Sequence, residues 1–124
     1  MEPTINTTSK TILVAEDVES NFLLLKALLS KTYRLIHALN GQEAIEMFTQ
    51  YAPDLILMDV KMPVMDGLEA TRLIRQQSLT TPIIALTAFA FDQDRIRVME
   101  AGCNDFLTKP LSPPLLKATL TKYI

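Results

Sequence analysis

Short apolar runs alternate with amphipathic segments along the chain, and this alternation repeats five times. Runs rich in Ile, Leu and Val predict β-strands, whereas apolar residues spaced three and four apart predict α-helices. The predicted strands cover residues 11–16, 33–38, 54–59, 83–87 and 105–108. The predicted helices cover residues 20–31, 41–51, 67–77, 92–101 and 113–123.

Residues with special backbone preferences mark several of the predicted helix ends. Ser20 is a plausible N-cap of the first helix, and Ser112-Pro113 combines an N-cap with a proline in the first turn. Gly102 is expected to end the fourth helix.

The fourth helix contains both apolar and charged positions. We expect Ile96 and Met99 to face the core and Val98 to be exposed. Arg95, Arg97 and Glu100 then form an ordinary charged surface. The pattern predicts no further function for this surface.

Alternating strands and helices predict an α/β fold, with a parallel sheet covered by helices on both faces. The third strand is almost entirely apolar, as expected for a strand buried on both faces. Polar Arg34 and His37 indicate that the second strand lies at an edge of the sheet. With 124 residues, the chain is expected to form one domain over 10–124, preceded by a flexible lead-in or linker over 1–9.

The composition narrows the possible functions. Hydrophobic residues make up 48% of the chain and charged residues 21%, with a formal net charge of -2. Nucleic-acid binding by this domain is not expected, because it normally leaves a basic surface. Membrane contact is not expected either, since no apolar run approaches the roughly 18 residues of a spanning helix. The single cysteine, Cys103, favours a reducing, cytoplasmic setting, and His37 is interpreted as a strand or surface residue.

Charged residues stand where apolar strands end, and they are the most informative feature of the sequence. Glu16 and Asp17 close the first strand, Asp59 closes the third, and Lys109 follows the fifth. The carboxyl ends of parallel strands meet at one edge of the sheet, where ligands bind. Three carboxylates with no Cys–His set favour a hard cation such as Mg²⁺.

Asp59 is the candidate nucleophile of this site. A carboxylate can attack a phosphoryl group to form an aspartyl phosphate. Lys109 would supply a positive charge, and Thr87, at the end of the fourth strand, a hydroxyl donor. Phosphoryl transfer needs mainly positioning and charge neutralisation, which these residue types provide.

Three alternative functions fit the sequence less well. A haloacid-dehalogenase-like phosphohydrolase also forms an aspartyl phosphate, but it usually needs a second aspartate where this chain has Lys61. A flavin-binding module needs a glycine- and hydroxyl-rich phosphate loop where this chain has acidic residues. A ligand-free interaction domain would not need Asp59, Thr87 and Lys109.

Four segments together resemble the receiver domain of two-component response regulators. They are ILVAED (12–17), DLILMDVKMPVMDG (54–67), PIIALTA (82–88) and GCNDFLTKP (102–110). The resemblance implies a flavodoxin-like doubly wound (βα)5 fold with a five-stranded parallel sheet in the order 2-1-3-4-5. It also implies a self-phosphorylating switch with Mg²⁺ as cofactor, and not a turnover enzyme.

The resemblance also assigns roles to individual residues. Asp59 matches the phosphoacceptor, Thr87 the switch hydroxyl and Lys109 the phosphate-pairing lysine. Phe106 matches the switch aromatic. The metal-binding positions correspond to Glu16, Asp17, Asp59 and the backbone carbonyl of Lys61.

Partners follow from the same resemblance. A histidine kinase or histidine phosphotransfer domain would supply the phosphoryl group and dock on the first helix and the strand-end loops. Phosphorylation would then change the face formed by helix four, strand five and helix five, and a weak dimer is possible.

Two segments resemble receivers of hybrid sensor histidine kinases more specifically. They cover residues 16–21 and 84–90, with departures from the commonest hybrid pattern at Val18 and Phe89. This resemblance implies a phosphorelay receiver within the cytoplasmic portion of a membrane kinase. A stand-alone single-domain response regulator is the alternative.

Overall fold

The structure, a computed structural model, describes residues 9–88 and 92–124 and contains five strands and five helices in strict alternation. The strands are β1 (Thr11–Ala15), β2 (Arg34–Ala38), β3 (Leu55–Asp59), β4 (Ile83–Thr87) and β5 (Asp105–Thr108). The helices are α1 (Glu19–Leu29), α2 (Gly41–Tyr51), α3 (Gly67–Arg75), α4 (Asp92–Ala101) and α5 (Pro113–Tyr123). The lead-in predicted over 1–9, apart from Ser9, lies outside the described residues, as does Phe89.

All five strands are parallel, and their order is β2-β1-β3-β4-β5. The predicted fold class and strand order are therefore confirmed, with β2 at an edge. The order reverses direction between β1 and β3, which makes their carboxyl ends the topological switch point where ligands bind in such sheets.

Alternate residues of the central strands enter two separate cores, because side chains along a strand point to opposite faces. On one face, Leu13, Ile56 and Ile83 pack against α2, α3 and α4. On the other, Val14, Leu57 and Leu86 pack against α1 and α5. In the described residues both faces of the sheet are covered, which leaves the strand ends available for a polar site. None of the helices in the described ranges has the length and apolar character to span a bilayer.

Two details of the helices differ from the sequence prediction. Helix α1 begins at Glu19 after an N-cap at Val18, not Ser20, and no side chain caps it. In α4 the predicted burial is wrong: Val98 is buried, whereas Ile96 and Met99 are about half exposed. The exit into β5 sets the rotation of α4, since the amide of Cys103 donates to the Val98 carbonyl and Cys103 is itself buried.

Candidate functional site

The strand ends place the predicted site residues side by side. Ala15 pairs with Met58, so Glu16 and Asp59 follow paired positions of β1 and β3. Thr87, the last residue of β4, pairs with Thr108, and Lys109 follows directly. Four residues that are far apart in the sequence thus reach one edge of the sheet.

Three carboxylates form a cluster at this edge. Glu16, Asp17 and Asp59 each offer an oxygen, and these oxygens lie within 4.8 Å of one another. Glu16 is fully buried and Asp59 is 5% exposed, whereas Asp17 faces solvent. The predicted convergence of the three acids is confirmed, and the structure adds that two of them are removed from water.

Lys109 supplies the positive charge beside this cluster. Its Nζ donates to Asp59 Oδ2 at 2.9 Å and to Glu16 Oε1 at 3.1 Å. Its backbone amide donates to the Thr87 carbonyl at 2.8 Å, and the Lys109–Pro110 peptide is cis. The lysine is therefore held by its backbone at the end of β4, while its ammonium group bridges the two buried acids.

The charge balance of the site appears in the pKa values of its groups. Burial is the main cause that raises the pKa of Asp59 from 3.8 to about 6; nearby Glu16 raises it further, and Lys109 opposes the shift. Burial alone would lower the pKa of Lys109, but its contacts with Asp59 and Glu16 outweigh burial and raise it. Lys109 is thus a stable cation, yet one lysine does not fully offset the cost of burying Asp59.

The loop after β3 approaches the site closely. The amide of Lys61 donates to Asp59 Oδ1 at 3.3 Å, and the amide of Gly67 donates to the Val60 carbonyl at 2.8 Å. A Cβ atom on Gly67 would overlap the carbonyl oxygen of Asp59, so no larger residue fits there. Val64 at the tip has a φ of 69°, a conformation that is unfavourable for a β-branched residue.

A cleft of about 450 Å³ opens above these residues. Asp17, Asp59, Lys61, Thr87 and Lys109 are among its lining residues. This volume lies within the range of about 300–1,000 Å³ that is usual for small-molecule sites.

The cleft has a further wall that the sequence pattern did not indicate. Asp94 and Arg97 of α4 also line it, and Arg97 Nη1 lies 4.0 Å from Asp94 Oδ1. Knowledge of which face of α4 is buried would have identified these two residues. With Val98 and Ala101 buried, positions 94 and 97 turn toward the strand ends.

Phe106 lies next to this region on β5. It is half-buried and pairs with Ala85 of β4, and the Arg95 guanidinium lies 5.3 Å from its ring centroid. Thr87 is 5% exposed and contributes to the cleft wall. The two residues lie on adjacent strands, and Phe106 is paired two residues before Thr87.

The acidic cluster fits a hard divalent cation. Its ligand atoms are all oxygens, their spacing allows a shared ion, and burial raises the pKa of Asp59 by more than Lys109 lowers it. Mg²⁺ typically takes one or two carboxylates, keeps water and accepts phosphate oxygens. Asp17, at the solvent-exposed side of the cluster, is accessible to a hydrated ion.

A family model for the response regulator receiver domain matches residues 12–121. The chain belongs to the response regulator receiver family. Among curated relatives, the polar-differentiation response regulator DivK of Brucella anthropi is 36% identical over 118 residues, which covers 93% of this receiver and 96% of DivK. The family match leaves the phosphohydrolase and flavin alternatives without support.

Solved receivers share the same fold. The receiver domain of the sensor histidine kinase PA1611 of Pseudomonas aeruginosa, with magnesium coordinated in its active-site cleft, is 38% identical with a TM-score of 0.87, covering 94% of this receiver and 98% of that chain. The receiver domain of Ssk1 of Saccharomyces cerevisiae, solved with the histidine phosphotransfer protein Ypd1, is 31% identical with a TM-score of 0.88. That match covers 93% of this receiver and 88% of the Ssk1 chain.

Proposed function

We propose that this receiver accepts a phosphoryl group from a phosphohistidine of a partner protein onto Asp59. The observation that carries the proposal is the environment of Asp59 at the end of β3. Its carboxylate lies in the cleft, 2.9 Å from the Lys109 ammonium and within the cluster formed with Glu16 and Asp17. A buried carboxylate beside a cation and two further acids is suited to forming an aspartyl phosphate.

In the transfer step, a carboxylate oxygen of Asp59 attacks the phosphorus atom of the phosphohistidine. The P–N bond breaks, the imidazole leaves with the bonding electron pair, and an acyl phosphate forms on Asp59. Lys109 is placed to pair with a phosphoryl oxygen, because its Nζ already contacts the attacking carboxylate. Mg²⁺, held by Glu16, Asp17, Asp59 and the Lys61 carbonyl, would neutralise charge on the transferred group.

Thr87 and Phe106 provide the proposed switch. Thr87 lines the cleft beside Asp59, so its hydroxyl can reach a phosphoryl oxygen after transfer. Phe106 is half-buried on the neighbouring strand beneath Arg95 of α4. Movement of Thr87 toward the phosphate would let the ring turn inward and alter the α4–β5–α5 face.

The proposal is tested by labelling with a small phosphodonor in the presence of Mg²⁺. Asp59→Asn should abolish labelling, because the amide is not a nucleophile. Asp54→Asn is the matched control, since Asp54 precedes the opposite end of β3, where it accepts a hydrogen bond from Thr11, and should label normally. Labelling of the Asp59→Asn variant at the wild-type level would refute the assignment.

The surface around α1 supports a partner with a helical docking face. Leu23 and Leu24 are about half exposed there, although α1 already buries Leu25 and Leu29. A small groove beside them, about 130 Å³ in volume, is lined by Leu24, Pro110 and Lys109 among others and leads toward Glu16. A histidine kinase or histidine phosphotransfer domain docked here would bring its phosphohistidine to the cleft.

This docking surface has a direct test. Leu24→Glu should slow transfer from a phosphorylated partner while labelling by a small phosphodonor is unchanged. Leu79→Glu, at a loop position that is 83% exposed, is the control and should leave both reactions unchanged. A Leu24→Glu variant that accepts phosphate from the partner at the wild-type rate would rule out docking at α1.

Two predictions concern the protein in which the receiver occurs: a hybrid sensor kinase or a stand-alone regulator. Similarity to the receiver of the kinase PA1611 supports a hybrid sensor kinase, whereas near full-length similarity to DivK supports a stand-alone regulator. The site chemistry is the same in both. The coding sequence of the full gene distinguishes them, because a hybrid kinase would place a kinase core in the same open reading frame.

A further inference from the structure

His37, the single histidine of the chain, contacts the backbone of the acidic site. It lies on β2, where it pairs with Val14 of β1, and its Nε2 is 2.7 Å from the Glu16 carbonyl oxygen. Because a carbonyl oxygen can only accept, Nε2 must carry the hydrogen and donate it. The pattern-based interpretation of His37 as an edge-strand residue is therefore incomplete.

A stacking contact fixes the orientation of the His37 ring. Its centroid is 3.7 Å from that of Phe22 on α1, and the two ring planes differ by 2°. His37 is only partly buried, so the stack covers one face of the ring and restricts its rotation. The donor is thus aimed at the Glu16 carbonyl by packing as well as by the hydrogen bond.

The hydrogen bond from His37 acts on the backbone between two residues of the acidic cluster, Glu16 and Asp17. The Glu16 carbonyl belongs to the peptide bond that leads into Asp17. The Glu16 amide, on the other side of the residue, donates to the Ala38 carbonyl at 3.0 Å. The end of β2 therefore holds Glu16 at both backbone groups. Rotation of the Glu16–Asp17 peptide, which would redirect the Asp17 carboxylate, requires the His37 bond to break.

We propose that His37 is a positioning residue of the Mg²⁺ site: its Nε2–H holds the Glu16–Asp17 peptide so that the Asp17 carboxylate faces Asp59. This inference rests on the proposed function of the acidic cluster. The buried Glu16 side chain is also held by Lys109 at 3.1 Å, whereas Asp17 is solvent-exposed and depends more on its backbone for orientation. Outer-shell groups of this kind typically change metal affinity by about 10–100-fold.

The test is isothermal titration calorimetry of metal-stripped protein with MgCl₂. His37→Leu keeps an apolar side chain against Phe22 but removes the donor, and it should weaken Mg²⁺ binding by about tenfold. His37→Gln restores an N–H donor on a side chain of similar reach and should recover most of the affinity. Arg34→Gln, on the same strand, is the control and should bind Mg²⁺ like the wild type.

The outcomes distinguish a role of His37 in positioning the Mg²⁺ site from a role in packing alone. Equal Mg²⁺ affinities for His37→Leu and wild type would overturn the inference, as would equal losses in the Leu, Gln and Arg34→Gln variants. Urea unfolding in EDTA identifies variants that are folded, and His37→Met replaces His37→Leu if the latter does not fold. A wild-type protein that takes up no Mg²⁺ would instead refute the proposed metal site itself, and the inference with it.

Discussion

Replacing Asp59 by asparagine is expected to stabilise the protein at neutral pH while removing its proposed reactivity. The carboxylate is 5% exposed, and burial is the main reason that its pKa rises from 3.8 to about 6. An amide of the same shape carries no charge, and its oxygen can still accept the hydrogen bond from Lys109. The variant therefore removes the cost of burying the charge without opening a cavity.

The size of the effect follows from the pKa shift. Asp59 binds its proton more tightly in the folded state than in the unfolded state. The free energy of unfolding of the wild type therefore falls as the pH rises from about 4 to about 6. Each pKa unit corresponds to about 1.4 kcal/mol, so the shift of roughly two units costs the wild type about 3 kcal/mol above pH 6. Asp59→Asn lacks this cost. Its advantage should be about 3 kcal/mol at pH 7, about half of that at pH 5, and close to zero below pH 3.

The assay is urea unfolding followed by far-UV circular dichroism, in EDTA, for both proteins at pH 7 and pH 5. Glu46→Gln removes an acidic charge from an exposed position on α2 and controls for the change in net charge. Its stability should change little at either pH. The reasoning is refuted if Asp59→Asn is no more stable than wild type at pH 7, or if its advantage is the same at both pH values.

Three further predictions concern the cleft lysine, the strained loop and the α3 end. Lys109→Met should raise the pKa of Asp59 further above 6, because it removes the cation that opposes the shift; a carboxyl ¹³C NMR titration that shows a lower pKa would contradict this. Val64→Asn should add about 1 kcal/mol to the free energy of unfolding, since Val64 is 83% exposed and Asn tolerates the positive φ at this position better than Val. A variant that is less stable than wild type in urea would show that the positive φ of Val64 does not destabilise the protein. Arg75→Lys should lower the free energy of unfolding by about 2 kcal/mol, because lysine cannot reproduce the four hydrogen bonds of the guanidinium group. Thermal unfolding measures this loss. Arg72→Lys, at an exposed position on the same helix, is the control and must lose less stability.

The strand-end site was predictable from sequence because apolar runs determine where strands end. In a parallel sheet, the residue after each run lies at the same edge as those after the other runs. Glu16, Asp17, Asp59 and Lys109 could therefore be placed together without knowledge of any distance. The observed bounds of β4 and β5 are those expected, and the starts of β2 and β3 differ from prediction by one residue.

The phase of α4 was not predictable in the same way. Its sequence has two possible apolar pairs, Ile96 with Met99 and Val98 with Ala101, and periodicity does not choose between them. The choice depends on tertiary contacts at the helix exit. Arg75 Nε donates to the Gly102 carbonyl, and a Cβ on Gly102, whose φ is 111°, would crowd the Arg75 side chain. These contacts fix the end of α4, bury Val98, and turn Asp94 and Arg97 toward the cleft.

The fold holds three acidic side chains close together, and their mutual repulsion favours the binding of a cation. Lys109 contributes one positive charge, whereas Glu16, Asp17 and Asp59 can contribute three negative ones within 4.8 Å. The acids cannot move apart to relieve their repulsion, because Glu16 and Asp59 are fixed by neighbouring buried strands whose side chains fill two cores. Relief is available from protonation of Asp59, at the cost of its nucleophilicity, or from a divalent cation, which preserves it. At neutral pH, above the pKa of Asp59, only the second route lowers the energy of the folded protein substantially. Packing of the apolar core therefore produces an electrostatic demand that the proposed Mg²⁺ would meet, and the same ion would keep Asp59 ionised for the proposed phosphoryl transfer.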